Sequence, residues 1–220
     1  MDIQAKLTSF AMMGATWIMW VLIGLSVGGL AVALERAIYL ARTSENLRRL
    51  KQEVLAYLRG GDIAAARDRL QLSNSAEAFV VAAGLQDEEG SASAEERMGG
   101  AAQIAKLRME KRLAFLGTLG ANAPFVGLLG TVIGIIRAFH ALNDSAGKVT
   151  ANLMADVGEA LVATAIGILV ALPAIAFFNF FQRIIKGRLG RADAFGKEVL
   201  AVLKAERAPL AVVDGKHRAA

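Results

Sequence analysis

The sequence has no cysteine and only two histidines among its 220 residues. Without cysteine there is no disulfide, no thiol nucleophile and no thiolate ligand for a metal ion. His140 and His217 are too few and too far apart in the chain for a metal site. The sequence also has no phosphate-binding loop, no serine triad and no pair of catalytic carboxylates. We therefore expect neither an enzyme nor a bound cofactor.

Charge is absent from three long stretches, Leu7–Leu34, 113–136 and 160–182, although 20% of all residues are charged. Each stretch is long enough to cross a bilayer, for which a helix needs about 20 apolar residues. The stretches do not alternate between apolar and polar residues, which excludes barrel strands. The first stretch exceeds the apolar core of a signal peptide and is expected to stay as an anchor. The sequence predicts an all-α polytopic membrane protein with three transmembrane helices.

Basic residues set the predicted topology and the segment boundaries. Lys and Arg are concentrated in 35–112 and 183–220, so both segments are expected in the cytoplasm, with the N-terminus and the connection between the last two spans outside. Basic residues beside membrane spans are expected from this topology, so the net charge of +5 does not indicate a nucleic-acid partner. The predicted segments are an amphipathic lead-in (1–16), helix 1 (17–40), a cytoplasmic helical bundle (41–112), helix 2 (113–139), a short connection (140–157), helix 3 (158–182) and a cytoplasmic helix and tail (183–220).

The cytoplasmic segment contains recognisable helix starts. Ser44 and Asp62 are predicted N-caps of two short helices. Ser93 and Glu96 form a capping box that predicts the start of a longer helix. No break is evident before Leu113, so this helix is expected to run directly into the second span, and the third span is expected to continue as helix to about residue 206. The second and third spans would thus both extend into the cytoplasm.

Small residues and prolines mark the second and third spans. Gly127, Gly130 and Gly134 favour close packing against other helices, and the last two form a GxxxG pattern. Pro124 and Pro173 each remove one backbone hydrogen bond and can kink their helices. These helices are therefore predicted to pack against neighbours on at least one face.

Three polar residues are the candidates for a function inside these spans. Glu159 stands at the start of the third span, where a carboxylate is costly unless it faces a cavity, a partner or a proton. Thr131 and Thr164 can both donate and accept hydrogen bonds along a hydrated path. Two alternatives remain open: Glu159 lies among the headgroups and ends the loop, and the threonines bond back to their own helices.

Charged residues near these candidates have a simpler interpretation. Asp156 is predicted to be a solvated loop charge. Arg137, at the end of the second span, is expected to extend its side chain outward into water. Neither residue is assigned a function from the sequence.

Two segments carry a resemblance to a known family. The segment 122–139 (NAPFVGLLGTVIGIIRAF) and the segment 158–174 (GEALVATAIGILVALPA) resemble the two halves of the signature of the MotA/TolQ/ExbB proton-channel family. The three spans and the position of the cytoplasmic segment resemble the ExbB/TolQ branch of that family. The flagellar stator branch typically has four spans.

The resemblance implies a specific function. It implies a homopentamer around two copies of a single-span ExbD/TolR-like subunit, whose helix carries a proton-binding aspartate. The family's pore-lining threonines fall on Thr131 and Thr164, and its glutamate falls on Glu159. Such a motor would sit in the bacterial inner membrane, with a periplasmic N-terminus and a cytoplasmic C-terminus. It would use the proton motive force to do work through a TonB/TolA-like or motility protein, in TonB-dependent import, Tol-Pal function or gliding-type motility.

Two alternatives to this function remain open at the level of the sequence. One is a non-conducting membrane scaffold that only holds a partner helix. The other is a sodium-driven stator, since threonine and glutamate oxygens can also bind a sodium ion.

Overall fold

The computed structural model describes residues 16–86, 91–144, 149 and 151–207. These ranges contain helices and no strand, which confirms the all-α class. The predicted lead-in, apart from Thr16, and the end of the C-terminal tail lie outside the described residues. The helices are α1 (Thr16–Arg42), α2 (Leu47–Arg59), α3 (Ile63–Gln71), α4 (Ala76–Gly84), α5 (Ser91–Glu110), α6 (Leu113–Asp144) and α7 (Ala151–Arg207).

Three helices, α1, α6 and α7, are long and apolar enough to cross a membrane, as the sequence predicts. Two of them extend beyond the predicted spans. α6 continues to Asp144 and α7 begins at Ala151, so both ends of the predicted connection 140–157 are helical. The predicted continuation of the third span is confirmed, because α7 runs without interruption to Arg207.

The expected continuity between the cytoplasmic segment and the second span is wrong. α5 ends at Glu110 and α6 begins at Leu113, with a turn between them. Arg112 has a positive φ of 65°, a left-handed conformation that interrupts the ladder of helical hydrogen bonds. The Arg112 guanidinium lies 3.7 Å from the carboxylate of Glu35. Lys111 and Arg112 are good helix formers, so no local signal in the sequence marks this break.

The chain divides into two compact units, which we call the membrane unit (1–38 and 110–183) and the polar unit (39–109 and 184–220). In the membrane unit, one apolar cluster joins α1, α6 and α7 around Ile18, Leu22, Ala123 and Val170. Large apolar side chains also point outward: Leu169 is 68% exposed. A surface of this kind requires lipid or other protein helices around it.

The α6–α7 seam of the membrane unit includes a run of six small residues. As residue numbers rise along α6, those of the contact partners on α7 fall, so the two helices form an antiparallel hairpin. Few side-chain atoms separate the two backbones, as the glycine pattern predicts. The seam residues are Gly127, Gly130 and Gly134 on α6, and Ala160, Ala163 and Gly167 on α7.

The polar unit is built from short capped helices. Asp62 caps α3, as predicted, by accepting a hydrogen bond from the Ala65 amide at 2.9 Å. Ser75 caps α4 in the same way through the Ala78 amide. The apolar core of the polar unit includes Leu50, Val54, Leu58, Ala66, Leu70 and Val81, all at most 1% exposed.

Two predicted helix starts in this unit are wrong. The N-cap of α2 is Asn46, whose side chain accepts from the Arg49 amide, and Ser44 lies two residues earlier. The described part of α5 already begins at Ser91, so Ser93 lies within the helix and does not cap it. In both cases several polar residues adjoin the boundary, and tertiary packing selects among them.

A buried arginine closes the end of α1 within the polar unit. Arg188 is 5% exposed and donates to the carbonyl oxygens of Leu40 at 2.5 Å and Thr43 at 3.1 Å. The Leu40 carbonyl belongs to the last turn of α1, where helical amide donors run out, and it also accepts from the Thr43 hydroxyl at 3.4 Å. The Thr43 carbonyl lies just beyond the end of the helix. Arg191 forms an ion pair with the buried Glu77 at 3.2 Å. Burial lowers the pKa of Arg188, yet the guanidinium stays charged at any physiological pH.

Candidate functional site

The backbones of the two hairpin helices approach each other most closely around Gly127 and Gly167. A Cβ atom added at Gly127 would lie 2.8 Å from the Ala163 carbonyl oxygen and 3.0 Å from the Thr164 Cα. A Cβ atom added at Gly167 would lie 2.7 Å from the Ala123 carbonyl oxygen. Any side chain larger than hydrogen at either position would force the helices apart.

Thr164 forms a hydrogen bond across this contact. Its hydroxyl donates to the Gly127 carbonyl oxygen on the facing helix, with an Oγ1–O distance of 3.0 Å. Thr164 is half-buried. The alternative in which this threonine bonds to its own helix is therefore wrong, because the missing side chain at Gly127 leaves that carbonyl within reach.

Thr131 behaves differently. Its hydroxyl donates to the Leu128 carbonyl oxygen of its own helix at 2.6 Å, as the alternative for membrane threonines predicts. The neighbouring Gly130 packs against Ala163, the residue before Thr164. The two threonines therefore lie at the same level of the hairpin.

Glu159 lies well inside α7. Eight residues separate it from the start of the helix at Ala151, or about 12 Å of helix axis. Glu159 therefore does not mark the end of the loop, and its depth in a membrane stays a prediction. Its Oε1 atom accepts a hydrogen bond from the Thr16 hydroxyl of α1 at 2.5 Å, and its side chain is half-buried.

The fold brings two of the three candidate residues to one level and leaves the third apart. Glu159 is five residues from Thr164, which corresponds to about 7.5 Å along the helix and about 140° around it. The carboxylate contacts α1, while the Thr164 hydroxyl contacts α6. The three side chains are thus distributed along the hairpin.

An ion pair that the sequence interpretation missed lies at the loop end of the same hairpin. Arg137 and Asp156 are 3.1 Å apart, and their side chains are only 30% and 17% exposed. The expectations of a solvated Asp156 and an outward Arg137 are therefore wrong. Arg137 lies about one helical turn after Gly134, and Asp156 about one turn before Ala160. Because Gly134 contacts Ala160 in an antiparallel hairpin, this register places the two charged residues opposite each other.

Both prolines lie inside their helices, Pro124 in α6 and Pro173 in α7. Pro173 lines a mainly apolar cavity of about 170 Å³ together with Leu119, Val170 and Ala174. A kink at either proline remains a prediction. Among the described residues, no three His, Cys, Asp or Glu side chains gather in a group that could hold a metal ion.

A family model for the MotA/TolQ/ExbB proton channel family matches residues 72–193, more than half of the chain. The chain belongs to this family. The matched region contains all of α6 and the candidate residues Thr131, Glu159 and Thr164. The recognition made from the two signature segments is confirmed.

Curated relatives assign the chain to the ExbB/TolQ branch. The biopolymer transport protein ExbB of Salmonella typhimurium is 34% identical over 193 residues, which cover 75% of each chain. The Tol-Pal system protein TolQ of Pseudomonas aeruginosa is 38% identical over 96 residues, or 44% of this chain and 42% of the relative. An ExbB-like 2 protein of Helicobacter pylori is 45% identical over 78 residues, or 36% of this chain and 52% of the relative. The chain thus spans about half the length of the last two relatives.

Proposed function

We propose that this ExbB/TolQ-like chain is the channel subunit of a bacterial inner-membrane motor driven by the proton motive force. Relatives are named for biopolymer transport and for the Tol-Pal system, and we extend work of that kind in the cell envelope to this chain. The proposed topology has a periplasmic N-terminus and a cytoplasmic C-terminus, in agreement with the distribution of basic residues.

The observation that carries the proposal is the set of polar side chains along the α6–α7 hairpin. Thr164 donates to a facing backbone carbonyl at the glycine contact, and Thr131 lies at the same level. Hydroxyl groups can pass hydrogen bonds along a path because they both donate and accept. Glu159 is a titratable carboxylate in a helix whose next 23 residues carry no charge. A charged carboxylate at the start of such an apolar stretch costs free energy, which indicates a functional role such as proton transfer.

The proposed assembly is a homopentamer around two copies of a single-span ExbD/TolR-like subunit. Three helices of one chain are too few to enclose a pore, so the path requires several copies. Both helices of the hairpin also offer exposed apolar residues to lipid or to neighbouring helices: Phe125 is 67% exposed and Leu161 64%. An aspartate on the enclosed partner helix would exchange protons beside the threonines. Work would then pass to a TonB/TolA-like or motility protein.

Proton flux in reconstituted vesicles tests this function. The purified complex is inserted into lipid vesicles, a pH gradient is imposed, and internal pH is followed with a dye. We expect Glu159→Gln to reduce the flux at least tenfold, while the native mass of the complex stays unchanged. Asp193→Asn is the matched control, because Asp193 is a 64% exposed carboxylate on the same helix.

Three outcomes would contradict the proposal. Wild-type flux in Glu159→Gln would remove the proton role of this residue, and absence of flux in every sample would favour a scaffold. Flux that follows sodium at constant pH would replace protons by sodium as the driving ion. The native mass of the complex in mild detergent gives the stoichiometry separately, with five copies of this chain and two of the partner expected.

A further inference from the structure

The ion pair at the loop end of the hairpin has no assigned function in the proton path described above. Arg137 belongs to α6 and Asp156 to α7, and 3.1 Å separates their charged atoms. Both side chains are partly buried, so solvent screens the pair less than an ion pair on a fully exposed surface. It is a direct charged contact between the two helices that carry Thr131, Thr164 and Glu159.

The pair is mechanically connected to Glu159. Asp156 precedes Glu159 by three residues on one helix, a spacing that places their Cβ atoms about 5–6 Å apart. A Cβ atom at Gly134 would lie 3.2 Å from both the Asp156 carbonyl oxygen and the Ala160 Cα. Residues 156–160 are thus pressed against α6, and the ion pair fixes the side of α7 on which Glu159 stands.

The pair also sets the charge that surrounds Glu159. From α1 the carboxylate receives only the neutral Thr16 hydroxyl, because α1 has no charged residue before Glu35. Within α7 its charged neighbour is Asp156, whose negative charge is balanced by Arg137. The charged and titratable residues of the described helices at this end of the hairpin are Arg137, His140, Asp144, Asp156 and Glu159.

We propose that Arg137 and Asp156 are positioning residues for Glu159, which hold its helix against α6 and balance the local charge beside its carboxylate. This inference rests on the proposed function of Glu159. It assigns to two residues outside the polar path a role in the regulation of that path. The proposal requires that the two charges act on Glu159 in opposite directions.

The opposite directions follow from electrostatics. Removal of Arg137 leaves the Asp156 carboxylate beside Glu159 without compensation, which favours the protonated form of Glu159. Removal of the Asp156 charge leaves Arg137, which favours the ionised form. A purely structural contact would respond to both changes in the same way, by loss of assembly or of flux at every pH.

The test measures proton flux as a function of pH for the full complex in vesicles. We expect the midpoint of the curve to rise by about 1 pH unit in Arg137→Gln and to fall by about 1 unit in Asp156→Asn. The conservative variant Arg137→Lys retains the charge and should keep the wild-type midpoint. The double exchange Arg137→Asp with Asp156→Arg should restore at least a third of the wild-type flux if the contact itself matters.

The exposed pair of Lys197 and Asp193 provides the matched control, with side chains 69% and 64% exposed on the same helix. Lys197→Gln and Asp193→Asn should leave the midpoint within about 0.2 pH units of wild type, because solvent screens these charges. Native mass and circular dichroism of each variant verify that the complex is assembled before flux is compared.

Shifts of the same sign in Arg137→Gln and Asp156→Asn, or no shift in either, would overturn the proposal. If neither Arg137→Gln nor Asp156→Asn assembles, the test relies on Arg137→Lys and on the double exchange. A shifted midpoint in Arg137→Lys, or no recovery of flux in the double exchange, would then reject the proposal. Loss of flux in Glu159→Gln without any shift in the pair variants rejects only the role of the pair. Wild-type flux in Glu159→Gln rejects the proposed function and, with it, this inference.

Discussion

The membrane unit and the polar unit are stabilised by different kinds of contact. In the membrane unit, α6 and α7 meet through glycines and alanines, with backbone atoms at van der Waals distance and no charge at the crossing. In the polar unit, short helices are capped by side chains, and Arg188 and Glu77 are buried with partners. The closest helix contact of the membrane unit depends on the absence of side chains, whereas the polar unit depends on specific side chains at its helix ends.

The difference follows from the surroundings of each unit. Lipid offers no hydrophobic advantage for helix association, so close backbone packing and hydrogen bonds across helices must supply it. A glycine contact also leaves carbonyl oxygens open to neighbouring hydroxyls, and Thr164 uses the Gly127 carbonyl in this way. The packing requirement and the proposed polar path therefore arise from the same residues.

The largest expected effect is at the glycine contact. Gly127→Ala places a methyl group 2.8 Å from the Ala163 carbonyl oxygen, and a rigid backbone cannot move aside cheaply. We expect a loss of about 2–3 kcal/mol in the free energy of unfolding, a value typical of overpacked cores. The measurement is thermal unfolding in detergent, followed by circular dichroism.

The matched glycine in the polar unit should respond in the opposite direction. A Cβ atom at Gly99 in α5 meets nothing within 4 Å, so Gly99→Ala should stabilise the helix by up to about 1 kcal/mol. If Gly127→Ala and Gly99→Ala destabilised the protein equally, close glycine packing would not distinguish the membrane unit from the polar unit.

The next effect is at the buried arginine of the polar unit. Arg188→Ala removes the charged donor of the Leu40 and Thr43 carbonyl oxygens, and the Leu40 carbonyl keeps the longer hydrogen bond from the Thr43 hydroxyl at 3.4 Å. We expect a loss of about 2 kcal/mol, the usual cost of buried polar groups that lose a charged partner. Thermal unfolding of Arg183→Ala serves as a comparison on the same helix, and a cost as large as that of Arg188→Ala would argue against specific capping.

A third effect separates the two threonines. Thr164→Val removes the hydrogen bond to Gly127 on the facing helix, and we expect proton flux to fall about tenfold, equivalent to about 1.4 kcal/mol. Thr164→Ser keeps the hydroxyl and should retain most of the flux. Similar flux in the valine and serine variants would show that the hydroxyl is not part of the path.

The smallest effect concerns pH and the polar unit alone. Burial by itself would raise the pKa of Glu45, but hydrogen bonds from Ser73 and Arg69 outweigh it and hold the pKa below 4.5. Hydrogen bonds from Arg49 and Arg69 also lower the pKa of Glu53 below 4.5. A carboxyl group with a lowered pKa in the folded state stabilises the fold above its unfolded pKa and loses this contribution as pH falls.

We therefore expect the polar unit to lose stability as pH falls below about 4.5, the ordinary pKa of these groups. The loss should be modest and sensitive to salt, since these side chains are 31% exposed. Acid titration with and without Glu45→Gln checks the assignment, and an unchanged acid profile in that variant would contradict it.

Much of the membrane unit could be predicted from the sequence. Uncharged stretches determine the spans, and the glycine pattern around Gly130 and Gly134 indicates the helix–helix contact. The candidate residues were identified as lone polar groups in apolar helices. A short connection between two long helices makes them antiparallel neighbours. The packing of the candidate residues on α6 and α7 follows from this arrangement.

Other features depend on tertiary context that no local pattern reveals. The break at Arg112 interrupts a sequence with good helix propensity. The hydrogen bond from Thr16 to Glu159 joins residues 143 positions apart in the sequence. The charge of Arg137 or of Asp156 alone does not indicate an ion pair. Only the register of the hairpin brings the two residues together.

We propose that Glu159 takes up and releases a proton, and infrared difference spectroscopy can detect this change in its carboxyl group. Vesicles containing the complex are compared before and after a step from neutral to acidic external pH. The account predicts a new carbonyl band of a protonated carboxyl group, which is absent in Glu159→Gln and retained in Asp193→Asn. Identical difference spectra in the wild type and in Glu159→Gln would contradict the account.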